Sequence, residues 1–286
     1  MLGQLVNFLE DIRNIFLVWR GTERCLPILF THLRIKCKQI LLRLVHANAE
    51  SEKFLGIRVS FPNYNHFVGL WREIFVAGNY YFRGDTENPH IVDAGSNIGI
   101  SICFFKYLYP NATIIGFEPD PISFRYLKTN IEANNFKKVA IHNIALSSKG
   151  GIVEFYQHRK GKASPTNSVN PYFAGESALV VRVESGKLSA FIDNNADLLK
   201  IDVEGAEYDI FQDLQENNKL RFVKRIFAEL HYGRNFMLGD ASFLLNVLEK
   251  AGFRYAITNT SFASHHLFVT DLRPRIYGLG LDAVRV

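Results

Sequence analysis

The heptapeptide Asp93-Ala94-Gly95-Ser96-Asn97-Ile98-Gly99 follows the apolar run His90-Ile91-Val92 and precedes a helical stretch. A strand that turns on glycine into a helix N-terminus leaves backbone N–H groups and a small cleft for a nucleotide-like ligand. In this reading Gly95 allows the tight turn, and Gly99 lets the helix start approach the ligand. Glu118 closes a second apolar run nineteen residues after Gly99. A carboxylate there accepts both hydroxyls of an adenosine ribose and has the wrong sign for a 2′-phosphate. A third run leads to Asn143 and Ala145, a polar edge and a small floor for an adenine ring.

The loop also discriminates between cofactor classes. Dinucleotide sites favour G-x-G-x-x-G, whose middle glycine leaves room for a pyrophosphate. Here Asn97 takes that place, and Asp93 stands immediately before the turn, where it opposes a pyrophosphate and suits an ammonium or sulfonium. The pattern D-x-G-x-x-x-G with Glu118 therefore points to S-adenosylmethionine over NAD. A nicotinamide-dependent oxidoreductase is the competing reading, and a strand-turn-helix with incidental glycines is the bland one.

A methyl donor needs a nucleophile that has lost its proton. Candidates for the base end the two later apolar runs: Asp202 and Glu204 after one, Glu229 and His231 on the other. Side chains alternate along a strand, so Glu229 and His231 share a face. His231 is the expected base, oriented by a carboxylate; its bland role is a structural hydrogen bond. Asp202, Glu204 and Glu207 have a rival use in capping the following helix. A further alternative, not favoured, is Mg²⁺ held by Asp202 with Glu229 or His231, which would acidify a substrate hydroxyl; the metal itself is left as unknown.

These residues need a scaffold. Beyond residue 50, short apolar runs alternate with helical segments, the rhythm of an α/β protein with a mostly parallel sheet. Strands are predicted over His90 to Ala94, Thr113 to Glu118, Val139 to Ile144, Gly151 to Tyr156, Leu198 to Asp202 and Arg225 to His231. Phe253 to Thr258 and His266 to Thr270 then form an antiparallel hairpin. Asp120 and Asp240 are expected helix caps, and Gly252 ends the last helix. Residues from about Gln157 to Ser177 read as a long polar loop, with Tyr172 and Phe173 suited to a sugar ring and His158, Arg159, Lys160 and Lys162 to an anion.

Composition bounds the class. With 286 residues, 48% of them hydrophobic and 21% charged, the chain is neither disordered nor collagenous. Three cysteines without a C-x-x-C pair argue against a disulfide framework or zinc ribbon. No run of 18 uncharged apolar residues and no basic leader are present, so a soluble, cytoplasmic protein is expected. The net charge of +5 is concentrated: residues 1–46 hold seven basic and three acidic groups, or +4. In that stretch Leu2, Leu5, Leu9, Ile12, Phe16 and Trp19 recur at spacings of three and four, and Leu26, Phe30, Leu33, Cys37, Ile40 and Leu44 repeat the rhythm after a break near Gly21 and Pro27. Such helices pack on the main domain or lie against anionic lipid, possible peripheral membrane contact being confined to residues 1–46. Nucleic acid is not expected as a partner, because the rest of the chain is nearly neutral and shows no nucleic-acid motif. Two regions follow: a basic helical extension over 1–60 and a catalytic domain over 61–286.

Val92-Asp93-Ala94-Gly95-Ser96-Asn97-Ile98-Gly99, Gly116-Phe117-Glu118-Pro119 and Leu199-Lys200-Ile201-Asp202-Val203-Glu204-Gly205-Ala206-Glu207 together resemble the FkbM-type methyltransferases, as does Glu229-Leu230-His231. The resemblance covers roughly residues 70 to 260. It implies a class I, Rossmann-like seven-stranded fold and S-adenosylmethionine-dependent transfer to a hydroxyl of a sugar, glycolipid or secondary metabolite. By position it implies that Asp93, Gly95, Gly99, Glu118 and Ala145 hold the cofactor. The stretch Val183-Glu184-Ser185-Gly186-Lys187-Leu188 departs from the family's T-L-D-like pattern. A non-catalytic binding module on the same fold is the remaining alternative; retention of Asp93, both glycines, Glu118 and the acidic motif argues against it.

Overall fold

In the computed structural model, described over residues 2–157, 167–169, 178–193, 195–233, 241–259 and 276–285, the glycine loop lies at the middle of a seven-stranded sheet. The loop follows β3 (His90–Ala94), which is flanked by β4 (Thr113–Phe117) and β5 (Val139–His142) on one side. On the other side lie β9 (Leu198–Ile201) and β10 (Arg225–Gly233), all in parallel register. All four β9 residues are buried, as in a strand covered on both faces; Lys200 is the one charge among them. The chain passes from β3 to β4 and later returns to the far side of β3 as β9. That reversal opens a crevice beyond the carboxyl ends of the strands.

Three strand assignments are corrected. The third strand ends at His142, and β6 (Ala145–Leu146) pairs instead with β8 (Leu179–Gly186). The run from Gly151 forms β7 (Gly151–Gln157) in this same small three-stranded sheet and does not join the main one. The partner of β11 (Phe253–Asn259) is β12 (Ile276–Arg285), which inserts antiparallel between β11 and β10. Ten residues long, β12 pairs with every residue of β10 from Arg225 to Gly233. His266 to Thr270, Asp240 and most of the Gln157 to Ser177 loop, with Tyr172, Phe173, His158, Arg159, Lys160 and Lys162, lie outside the described residues.

Helices cover both faces. On one, α6 (Glu207–Glu216) and α7 (Ala241–Lys250) contribute Ile210, Phe211, Leu244 and Val247 to a core under β9, β10 and β12. On the other, α4 (Ile100–Leu108) and α5 (Pro121–Ala133) are joined by a layer built before β3. Asp120 caps α5 through the N–H groups of Ile122 and Ser123, with Pro121 at its first position. The added layer holds α1 (Leu2–Trp19), α2 (Cys25–Leu44), the hairpin β1 (Ser51–Phe54) and β2 (Ile57–Ser60), and α3 (Tyr64–Trp71). Pro27 does not break the second helix but sits in its first turn, where no N–H is needed. Trp19, fully buried, packs edge-on to Phe104 and donates its indole N–H to the Phe75 carbonyl at 2.8 Å. α3 runs into a π-helical turn, Arg72–Val76, held from below by the Arg72 fork on Asp11 at 2.7–2.9 Å. Glu73 lies within this turn, and such turns are frequent at functional sites.

Candidate active site

A cavity of about 190 Å³ fills the crevice beyond β3, β4, β9 and β10. Its lining joins Gly95, Ser96, Asn97, Glu118 and Ala145 to Glu73, Tyr80, Asp202, Glu204 and Glu229. The glycine loop is shaped by its neighbours. Gly95 has φ 90°, and a Cβ there would sit 1.7 Å from the Asp202 carbonyl oxygen. Gly99 has φ 89°, and a Cβ would press on Leu127 Cδ1 at 2.7 Å. Both glycines thus serve chain packing, and Gly99 is absent from the cavity wall. Asn97 adopts φ 47° and donates its backbone N–H to Glu118 Oε2 at 2.8 Å.

Glu118 also accepts the Asp120 N–H through Oε1 at 2.8 Å. Burial pushes its carboxyl up to about 8, and the two backbone N–H groups offset this only in part. Asn143 turns its amide onto the Glu118 and Pro119 carbonyls at 2.8 and 3.1 Å. It braces the end of β4 and does not line the cavity.

Asp93 is fully buried, one layer behind the cavity wall, where its partners Lys200 and Ser101 belong to the lining. It is the register partner of Lys200 on β9, and Lys200 Nζ lies 3.3 Å from its Oδ1. Its Oδ2 accepts the Ser101 hydroxyl at 2.6 Å. The carboxylate that the sequence placed where an ammonium or sulfonium would suit has an internal ammonium beside it in this structure, that of Lys200. Lys200 also donates to the Gly95 carbonyl at 2.6 Å and lies 3.5 Å from Asp202 Oδ2. Burial alone would lower the Lys200 pKa; Asp93 and Asp202 overcome it and hold the ammonium above the ordinary lysine range.

Asp202 accepts the Tyr80 hydroxyl at 3.1 Å. Glu73 faces the same hydroxyl at 3.4 Å, and burial, reinforced by the charges of Asp202 and Glu229, pushes it up to about 8. His231, behind this wall, holds Glu207 Oε1 at Nδ1 (2.9 Å) and lies 3.3 Å from Glu204 and 3.8 Å from Glu229 at Nε2. Burial would lower its pKa, but the hydrogen bond and charge of Glu207, joined by Glu204, push it up to about 10. At neutral pH it is an imidazolium, unable to take a proton, and it is not part of the cavity wall. The carboxylates at the cavity are the groups left for that task.

Of the eleven residues singled out from sequence, the structure brings Gly95, Asn97, Glu118, Ala145, Asp202, Glu204 and Glu229 together, and sets Asp93, Gly99, Asn143 and His231 behind them. Asp202, Glu229 and His231 each bring one ligand atom within 4.8 Å of the others. Mg²⁺ takes hard oxygen ligands in an octahedron, and a set of two carboxylates with one imidazole does not fit that preference. Sequence reasoning missed Glu73 and Tyr80, which precede every motif. It also passed over Lys200, although a lysine inside an apolar strand signals a buried counter-charge.

Comparison with known proteins agrees with this architecture. The family described as "Methyltransferase FkbM domain" matches residues 93–255. "Methyltransferase 1" of Beauveria bassiana (strain ARSEF 2860) is 28% identical over 213 residues, covering 68% of this chain and 84% of the relative. "Methyltransferase sdnD" of Sordaria araneosa is 29% identical over 181 residues, 52% of this chain and 69% of its own length. "2-O-methyltransferase NoeI" of Sinorhizobium fredii (strain NBRC 101917 / NGR234) is 26% identical over 168 residues, 52% and 68% respectively.

Proposed function

The chain belongs to the FkbM methyltransferase family, and from that premise we propose that it transfers the methyl group of S-adenosylmethionine to a hydroxyl oxygen of a sugar, glycolipid or secondary metabolite. One observation carries the reading: a single cavity joins a glycine loop and Glu118 to a wall of Glu73, Asp202, Glu204 and Glu229. Among the described residues Lys200 is the one cationic side chain of that lining, and it is already held by Asp93 and Asp202, a fit for a positively charged donor. Against a dinucleotide, the Asn97 N–H that would meet a pyrophosphate is already spent on Glu118. The oxygen acceptor is supported by the relative named as a 2-O-methyltransferase.

S-adenosylmethionine supplies an electrophilic methyl on a cationic sulfur. In this reading Glu118 holds the nucleoside, Ala145 leaves space for its base, and the acidic wall receives the alcohol. Asp202 is the assigned proton acceptor, its carboxylate steadied by Tyr80 and Lys200. His231 acts as a positioning residue by fixing Glu204 and Glu207. Alignment of the two reactants supplies about 7–11 kcal/mol, and a base about 10²–10⁴-fold, or about 3–5 kcal/mol. Positioning dominates.

Two titrations and a transfer assay test this. Calorimetry with S-adenosylhomocysteine should give saturable binding, and NAD none. Methyl-labelled donor offered with sugars, glycolipids and phenols should leave label on oxygen. Binding of NAD in place of the homocysteine analogue would overturn the assignment.

A further inference from the structure

We propose that α1 and α2 form a docking face that seats the protein on the headgroup layer of an anionic bilayer. At 100° per residue, the exposed Val6, Leu9, Arg13, Phe16 and Leu17 of α1, with Arg20 one position past its end, fall within an arc of about 100°. Among the described residues of α1, polar Asn7 is the exposed one outside it. On α2 the exposed Leu26, Phe30, Arg34, Cys37, Ile40, Leu41 and Leu44 fall within about 120°. The opposite side of α2 buries Ile28 and Ile35 together with His32 and Gln39. Both polar groups meet protein: Gln39 bonds Asn65, and His32 takes the Trp71 indole N–H at Nδ1 and lies 3.4 Å from Asp11 at Nε2. The helix thus turns polar residues toward protein and leucine and phenylalanine toward solvent, the reverse of what water selects. Ten of the fifteen large apolar residues exposed among the described residues lie between Val6 and Val45.

Charge decides the occupant. Neither outward stripe contains an acidic residue, though half-exposed Glu10 borders that of α1. Arg34 on α2 is taken up by Glu52, so Arg13 and Arg20 are the cations the stripes offer. Asp11, the acid central to α1, is buried on Arg72. A second copy of the same face would set arginine against arginine, whereas a phosphate layer complements them and the acyl boundary takes the apolar side chains. No described helix is long and apolar enough to cross a membrane, so the face lies on the bilayer and does not span it.

Flotation of the full chain on phosphatidylcholine vesicles, with and without phosphatidylserine, tests this independently of the methyl acceptor. Binding should require phosphatidylserine and weaken as salt rises. Arg13→Gln with Arg20→Gln should cost about fivefold in affinity per arginine. Phe16→Ser, Leu17→Ser and Phe30→Ser together should cost about a hundredfold. All five positions are exposed, and unchanged circular dichroism and S-adenosylhomocysteine binding would establish that the variants fold. Equal recovery of wild type and variants, or no flotation on either vesicle, would refute the proposal. So would a wild-type dimer in sedimentation equilibrium that the serine variant dissolves, since the face would then belong to a second copy.

Discussion

Asp202 is where the two groups of lining residues meet: its carbonyl oxygen excludes a side chain at Gly95, and its carboxylate takes the Tyr80 hydroxyl. Asp202→Asn keeps the shape and the Tyr80 contact but loses the proton acceptor. Turnover should fall by about 10²–10⁴-fold while S-adenosylhomocysteine binding changes by less than about threefold. A parallel loss of binding in calorimetry would place Asp202 with the donor and not with the acceptor. Residue types at this scale were legible in sequence, since Glu118, Asp202 and Glu229 end apolar runs. Their division of labour was not. Asp93 reads as a ligand for a cation only until Lys200, a hundred or so positions later, is found in register beside it. His231 reads as a base only until Glu204 and Glu207 are seen closing around it.

At the scale of elements, two glycines with similar backbone angles separate sterics from conformation. Gly95 (φ 90°) and Gly56 (φ 81°) both occupy the left-handed half of conformational space. A Cβ at Gly56, in the β1–β2 turn, meets nothing within 4 Å. Gly56→Ala should therefore cost only the backbone penalty, about 1–2 kcal/mol by urea unfolding. At Gly95 the obstacle is the Asp202 backbone, one residue past the end of β9, which cannot rotate away as a side chain would. Gly95→Ala should lose more than about 4 kcal/mol, or accumulate no folded protein. Comparable midpoints for the two variants would show that the loop yields. The strand-glycine-helix unit itself was evident from the apolar run and the spacing of its glycines. The small sheet of β6, β7 and β8 was not, because period-two alternation marks a strand without naming its partner.

For the whole molecule, buried titratable groups make stability depend on pH with a definite sign. Glu73 and Glu118 rise from 4.5 to about 8 on folding. The folded state holds their protons more tightly, so their contribution is complete below about 4.5 and is lost as pH climbs through 8. His231 goes from 6.5 to about 10 and extends the same decline upward. On the acid side, burial favours the protonated forms of Asp11 and Glu52, but hydrogen bonds from His32 and Arg72, and from Arg34 and Lys38, outweigh it. That contribution is lost as pH falls below their lowered values. The melting temperature should peak near pH 5 and fall toward pH 8, and Glu73→Gln with Glu118→Gln should flatten the fall. Scanning fluorimetry across this range checks it; a melting temperature that climbs from pH 5 to 8 would contradict the burial of these carboxyls in neutral form.

From the order of its residues alone this chain declares an α/β fold, a glycine loop, a trio of carboxylates at strand ends and a basic, apolar N-terminal stretch. Each is a local pattern, written in spacing along the chain. The tertiary structure decided which carboxyl faces the cavity and which faces a lysine, which side of α2 meets solvent, and that Glu73 and Tyr80 complete the wall. Those outcomes depend on strand register and on a π-turn clamped by Asp11 and Arg72, sixty-one positions apart. Burial and charge pairing are properties of neighbours in space, and neighbours in space are what a linear pattern does not contain.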